Sequence, residues 1–182
     1  MAMTAPSPYD RALKRNLAEL QKALLIRATL LGIEKLRCTT KVFTRVIQDA
    51  LHNDHLSHAI KVFELSSKSA SFWYLYRTDP GPIDKFARQV RYDIANLQIV
   101  ADKLKAIRNG SHFHIDNTGV LDPKAVWGGA ALTGKELGAA IDFVWEALST
   151  IQSGKGGEVP SLLDYTPDVA LAALKRVESG DP

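Results

Sequence analysis

The sequence predicts an all-α fold, a single helical bundle of five or six helices. Apolar residues recur at steps of three and four along nearly the whole chain. No stretch alternates apolar and polar side chains over a useful strand length. The 182 residues, 46% of them apolar and 24% charged, match the size and balance of one ordinary globular domain rather than a disordered or low-complexity chain.

The helical period starts with Leu13, Leu17, Leu20, Leu24 and Leu31, and a second series follows on Val42/Phe43, Val46/Ile47 and Ala50/Leu51. A third apolar stretch runs from Ile60 and Phe63 through Phe72, Leu75 and Tyr76. It ends at Arg77-Thr78-Asp79-Pro80-Gly81-Pro82, where two prolines and a glycine force a turn. Ala87, Val90, Ile94, Leu97, Ala101 and Leu104 then step by 3, 4, 3, 4 and 3 residues, which predicts one continuous apolar seam on one helix. Asn109 and Gly110 are its expected stop. Residues Ser111 to Leu132 form a long stretch with several glycines and prolines. Long connections in compact domains usually carry function, so an ordered, site-bearing loop anchored by Val126 and Trp127 is expected here. Thr133-Gly134-Lys135-Glu136 has the pattern of a capping box, opening a helix lined by Leu137, Ile141, Val144, Leu148 and Ile151. After the break Ser153-Gly154-Lys155-Gly156-Gly157, Thr166, Pro167 and Asp168 start a last short helix with Val169, Leu171, Ala172, Leu174 and Val177 as its apolar content.

Composition excludes several classes. The longest apolar run, Val169 to Leu174, is far short of the roughly 18–20 residues of a membrane span, so no membrane association is expected. The first ten residues carry two prolines and no apolar segment, unlike a secretory signal. Residues 1–8 are expected to be a disordered or cloning-derived stretch, with 9–182 as the single domain. The lone Cys38 has no internal disulfide partner and suits a reducing, cytoplasmic setting, where it reads as a core residue. Charge is mildly basic, 23 Lys and Arg against 20 Asp and Glu, for a net +3. Residues 1–50 concentrate nine basic side chains against four acidic ones. Arg11, Lys14 and Arg15 among them suit a polyanion such as RNA, the alternative being a solvated helix face.

The sequence lacks GxxxxGK[ST], GxGxxG after a strand, paired CxxC and HExxH, which removes the common nucleotide-binding, thiol and zinc-protease chemistries. His52, His55 and His58, with Asp54 between them, spread around a helix. They have no second ligand pair at a recognisable spacing, so neither a metal nor another cofactor is expected. The denser cluster is Arg108-Asn109-Gly110-Ser111-His112-Phe113-His114-Ile115-Asp116. Arg108 continues the apolar seam by one step of four, where an unpaired buried charge costs several kcal/mol. The cluster therefore gathers a fixed cation, an amide, two imidazoles and a carboxylate at a helix end. Cleaving RNA without a metal requires such groups: a base for the ribose 2′-hydroxyl, a cation for the developing phosphorane charge and an acid for the leaving oxygen. Histidine titrates in the useful range, and arginine is the planar permanent partner of phosphate.

At these residues the chain resembles the HEPN superfamily (higher eukaryotes and prokaryotes nucleotide-binding), whose signature is Arg, a polar residue, a short spacer and His. Arg108 matches the arginine, Asn109 the polar residue and His114 the histidine, with five residues intervening. The continuation His114-Ile115-Asp116 is similar to the AbiU-type branch of abortive-infection and toxin–antitoxin proteins. The resemblance implies a HEPN-like helical fold and a metal-independent endoribonuclease that cuts single-stranded RNA at a cleft shared by a homodimer. It also implies catalytic roles for Arg108, Asn109 and His114, auxiliary ones for His112 and Asp116, and a cognate antitoxin protein as partner. Gly110, Ser111 and the extra His112 depart from the usual spacer. Asp116 stands where some members carry a modifiable tyrosine, so control through that tyrosine is not carried over. The alternatives are a non-catalytic HEPN-like module binding nucleotide, RNA or protein, and a structural helical dimer whose Arg108 pairs with Asp116 or another carboxylate.

Overall fold

Apolar residues at helical spacing have to be covered, and in this chain they cover one another around a long first helix. The computed structural model describes residues 5–35, 41–112, 123–162 and 164–179. Among the described residues there are eight α-helices and no strand: α1 (Pro8–Glu34), α2 (Lys41–Phe63), α3 (Phe72–Thr78), α4 (Pro80–Val90), α5 (Ala95–Ile107), α6 (Pro123–Ala130), α7 (Gly134–Gly154) and α8 (Pro167–Ser179). The five or six helices expected become eight because the third apolar stretch and the long seam are each divided, and because α6 lies within the expected 111–132 loop.

Helix α1 starts at Pro8, with Ser7 accepting from the Asp10 amide at 3.1 Å. Its stripe of Leu13, Leu17, Leu20 and Leu24 is buried against Leu56, Ala59, Ile60 and Phe63 of α2. Cross-contacts from His55 to Ala23 and from His58 to Glu19 set the two helices antiparallel. Helix α7 brings Leu137, Ile141, Val144 and Leu148 to the same core, and α5 adds Leu97, Ala101 and Leu104. Thr133 and Glu136 form the reciprocal capping box at the start of α7, with bonds of 3.1 and 2.8 Å. Each fully buried leucine or isoleucine here contributes about 1.5–3 kcal/mol.

Three features differ from the sequence expectation. Val42 and Val46 are 80% and 62% exposed, because no described side chain of α2 before Leu56 joins the apolar core. Leu31 is likewise exposed, and Leu30 is the buried neighbour. The seam from Ala87 to Leu104 is broken: α4 ends in a left-handed Arg91 (φ 56°), with the Tyr92 amide donating to the Ala87 carbonyl at 2.9 Å. That closure lets Tyr92 stack on Phe143 at 4.1 Å and leaves Val90 exposed. The prolines of the expected turn lie inside the first turn of α4, so Asp79 alone separates α3 from α4.

Helix α8 docks on the C-terminal half of α1. Its Thr166 cap is present, but Ala170 is its buried residue while Val169 is exposed. A Cβ at Gly32 would stand 2.8 Å from the Pro167 carbonyl oxygen, so only glycine lets the two backbones meet there. No helix among the described residues is long and apolar enough to cross a membrane. Cys38 lies outside the described residues.

Two expected outcomes follow from this packing. Leu17→Ala lowers unfolding free energy by about 2–5 kcal/mol in urea titrations, whereas Ile99→Ala, on the exposed face of α5, changes it by less than about 0.5 kcal/mol. Gly32→Ala forces α8 away from α1, read as faster limited proteolysis between residues 155 and 165; an unchanged cleavage rate would contradict the close approach.

Candidate functional site

Helix α5 does not stop at Asn109-Gly110 as its sequence suggests. Regular α-helix ends at Ile107, and Arg108–His112 continue as a π turn. Such single wide turns are rare and frequently mark functional sites. The turn is braced by α6: a Cβ at Gly110 would come within 2.7 Å of Val126 Cγ1, so the glycine admits that side chain. Val126 is thus an anchor, as expected, but it anchors from a helix. The side chains of Ser111, His112 and Trp127 lie outside the described residues, as do residues 113–122, which include His114 and Asp116.

The step that places Arg108 after the apolar seam brings it to the C-terminal end of α2. Its Nη1 donates to Glu64 Oε2, and its Nε donates to Asn109 Oδ1 at 3.2 Å. Asn109, expected to orient a phosphate, here accepts from the guanidinium of Arg108. An open, unpaired Arg108 is not what the fold contains, since the carboxylate of Glu64 occupies one edge of it. Both side chains keep contact with solvent, at 28% and 19% exposure. Arg108 Nη2 makes no hydrogen bond among the described residues. Glu64 is itself held: its Oε1 accepts from the Ser66 amide at 3.2 Å and its carbonyl accepts from Ser71 Oγ at 2.6 Å. Asn16, buried on α1, secures the same connection by donating to the carbonyls of Ala12 and Ala70, both at 2.8 Å.

The surface around this pair is a chain of adjoining depressions. One, of about 240 Å³, is lined by Arg15, Asn16, Glu19, Lys61, Glu64 and Ser69. A second, of about 400 Å³, shares Arg15, Ser69 and Ala70 with it and extends to Arg11 and Lys68. A small cleft shares Ile60 and Glu64 with the first and reaches Lys105 and Arg108. Six cations (Arg11, Arg15, Lys61, Lys68, Lys105 and Arg108) therefore face two carboxylates, Glu19 and Glu64, along one strip. Arg11, Lys14 and Arg15 are all exposed, as a polyanion contact requires, although Lys14 lines none of the three depressions. Lys61, Glu64, Lys68 and Lys105 escaped sequence reasoning. Lys105 stands one helical turn before Arg108, but nothing in local spacing links Lys61, Glu64 or Lys68 to it.

The histidine run divides into three environments. His52 is exposed; His55 and His58 are buried. His58 Nδ1 meets Glu19 Oε2 at 2.6 Å, its Nε2 lies 3.4 Å from Asp54 Oδ1, and Lys61 Nζ donates to the same Glu19 oxygen at 3.2 Å. Burial raises the Glu19 carboxyl, but the hydrogen bonds from His58 and Lys61 outweigh it and hold the group below its ordinary value. Among the described residues no three His, Cys, Asp or Glu side chains are arranged to hold a metal ion.

Because folding keeps Glu19 ionised to lower pH than the unfolded chain does, its contribution is complete above the ordinary glutamate value of 4.5 and is lost as pH falls through the lower folded value. Glu19→Gln should therefore be less stable than wild type near neutrality, with the gap narrowing as pH drops below 4.5 in urea titrations. A gap independent of pH would remove Glu19 as the source.

No protein-family model, curated protein or solved structure matches this chain.

Proposed function

We propose that the protein is a metal-independent endoribonuclease of the HEPN type, acting in the cytoplasm as a homodimer and toxin of a phage-defence or toxin–antitoxin system. The observation that carries this reading is the basic strip, which runs from Arg11 and Arg15 on α1 to Arg108 in its π turn. A single-stranded RNA laid along the strip exchanges condensed counterions for lysine and arginine contacts. A phosphodiester at its end meets Arg108 Nη2, which makes no hydrogen bond among the described residues, while Asn109 holds Nε. Arginine binds phosphate and carboxylate in the same fork geometry, so an incoming phosphate competes with Glu64 for one guanidinium.

The reaction is attack of a ribose 2′-hydroxyl on the adjacent phosphorus, with expulsion of the 5′-oxygen and formation of a 2′,3′-cyclic phosphate. Arg108 stabilises the phosphorane charge. His114 transfers the protons, one copy as base and the partner subunit's equivalent as acid, with His112 and Asp116 as auxiliaries. These histidine and aspartate roles rest on spacing, since His114 and Asp116 fall outside the described residues.

The ion pair of Arg108 with Glu64 favours a second reading, a non-catalytic helical module in which the pair holds α5 to α2. Cleavage of end-labelled single-stranded RNA in EDTA separates the two. The nuclease reading expects cleavage that falls roughly 10²–10⁴-fold in both Arg108→Ala and His114→Ala. It also expects Glu64→Gln to bind RNA more tightly than wild type, because the competing carboxylate is gone. Wild type that is folded yet inert on varied RNAs supports the module, and equal cleavage by all proteins refutes the site.

A further inference from the structure

A large concavity lies away from the basic strip, between the C-terminal half of α1, the middle of α2 and the start of α7. Arg27 on its wall is twelve residues beyond Arg15, roughly 18 Å further along α1 at 1.5 Å per residue. The volume is about 1110 Å³, at the upper end of pockets that hold small molecules. Leu30, Leu31, Leu56 and Leu137 supply its apolar lining, and Leu31 remains exposed there.

One polar group within it is built in an unusual way. His55 is only 7% exposed and lines this concavity. Its Nδ1 lies 3.0 Å from the carbonyl oxygen of Ala23, and a carbonyl only accepts, so the proton sits on Nδ1. Desolvation lowers the pKa of the ring, and the nearby positive charge of Arg27 lowers it further, so the imidazole stays neutral. Nε2 is then a fixed lone pair with no hydrogen-bond partner among the described residues. Arg27 on the wall is engaged by both oxygens of Asp142, at 2.6 and 3.2 Å, and also donates to the Gly138 carbonyl, while Lys135 stands at the rim. Nε2 is not one of the fully buried unpaired atoms, so it opens to the concavity, where a ligand N–H or O–H would take the place of water.

We infer that this concavity binds an uncharged, largely apolar small molecule that presents a single N–H or O–H donor to His55 Nε2. The apolar lining takes the body of the molecule, as in other ligand pockets where a few polar groups fix orientation. An anionic head gains nothing from His55 Nε2, which only accepts, and the rim carboxylates of Glu34 and Asp49 offset Lys135 on the same rim. This site is separate from the RNA strip, and neither reading depends on the other.

The test is fluorescence titration with N-phenyl-1-naphthylamine, an uncharged apolar probe with one N–H, alongside its N-methylated analogue, which has none. Wild type should bind the amine saturably at one site per chain, and about 3- to 10-fold more tightly than the N-methyl analogue. His55→Asn keeps a donor for Ala23 but removes the Nε2 acceptor, so it should abolish that preference. Ala139→Phe, at an exposed position lining the concavity, should weaken both probes at least about tenfold by filling the space. Thermal melts check that each variant folds. If His55→Asn melts early, the comparison of the two probes on wild type decides alone. Non-saturating binding, equal affinity for the two probes on wild type, or full binding by Ala139→Phe would each overturn the inference.

Discussion

The rest of the molecule depends on how the leucine stripe of α1 is covered. Leu13, Leu17, Leu20 and Leu24 are buried along a single helix face, and α2, α3, α7 and α8 all pack on that helix. Buried polar side chains on this helix find partners on other elements at Asn16 and Glu19, while the Tyr9 hydroxyl has none among the described residues. Asn16 holds the chain between α2 and α3, and Glu19 gathers His58 and Lys61. The two surfaces of functional interest are products of this arrangement. The N-terminal half of α1 contributes Arg11 and Arg15 to the basic strip, while its C-terminal half walls the leucine-lined concavity.

The Arg108–Glu64 pair shows how the same packing places a charge. Helix α5 lies against α2 through Leu97, Ala101 and Leu104, so the next residue of that face emerges where α2 ends. A fully buried pair would be locked by the cost of stranding either ion. A fully exposed one would contribute little. This pair is intermediate, with Nε and Nη1 engaged and Nη2 without a hydrogen bond among the described residues. That intermediate state suits a group able to exchange one oxyanion for another, with the surrounding excess of cations compensating Glu64 when it is displaced.

Helical geometry gives three histidines close in sequence unrelated chemistry. At positions i, i+3 and i+6 each faces a different neighbour. His52 meets solvent, His55 meets a backbone carbonyl under an apolar wall, and His58 meets two carboxylates. A metal reading of the run treats them as a unit, whereas the fold uses them separately. His55 Nε2 has no hydrogen-bond partner among the described residues, and it lies where the apolar surface is concave.

The chain alone determined what local interactions decide: helical class from apolar period, the capping box of α7, the Thr166 cap of α8, and a concentration of charge and imidazole around Arg108. These depend on neighbours within about one helical turn, so sequence spacing contains them. Tertiary packing decided the rest. The seam breaks at Arg91 because Tyr92 gains a stacked place on Phe143. Val42 and Val46 stay exposed because no helix among the described residues reaches them. Glu64 became the partner of Arg108 from 44 residues away, and the strip joining Arg108 to Arg11 and Arg15 exists only when α1, α2 and α5 are together. Pairings between distant residues depend on how whole helices dock, and no local spacing records that.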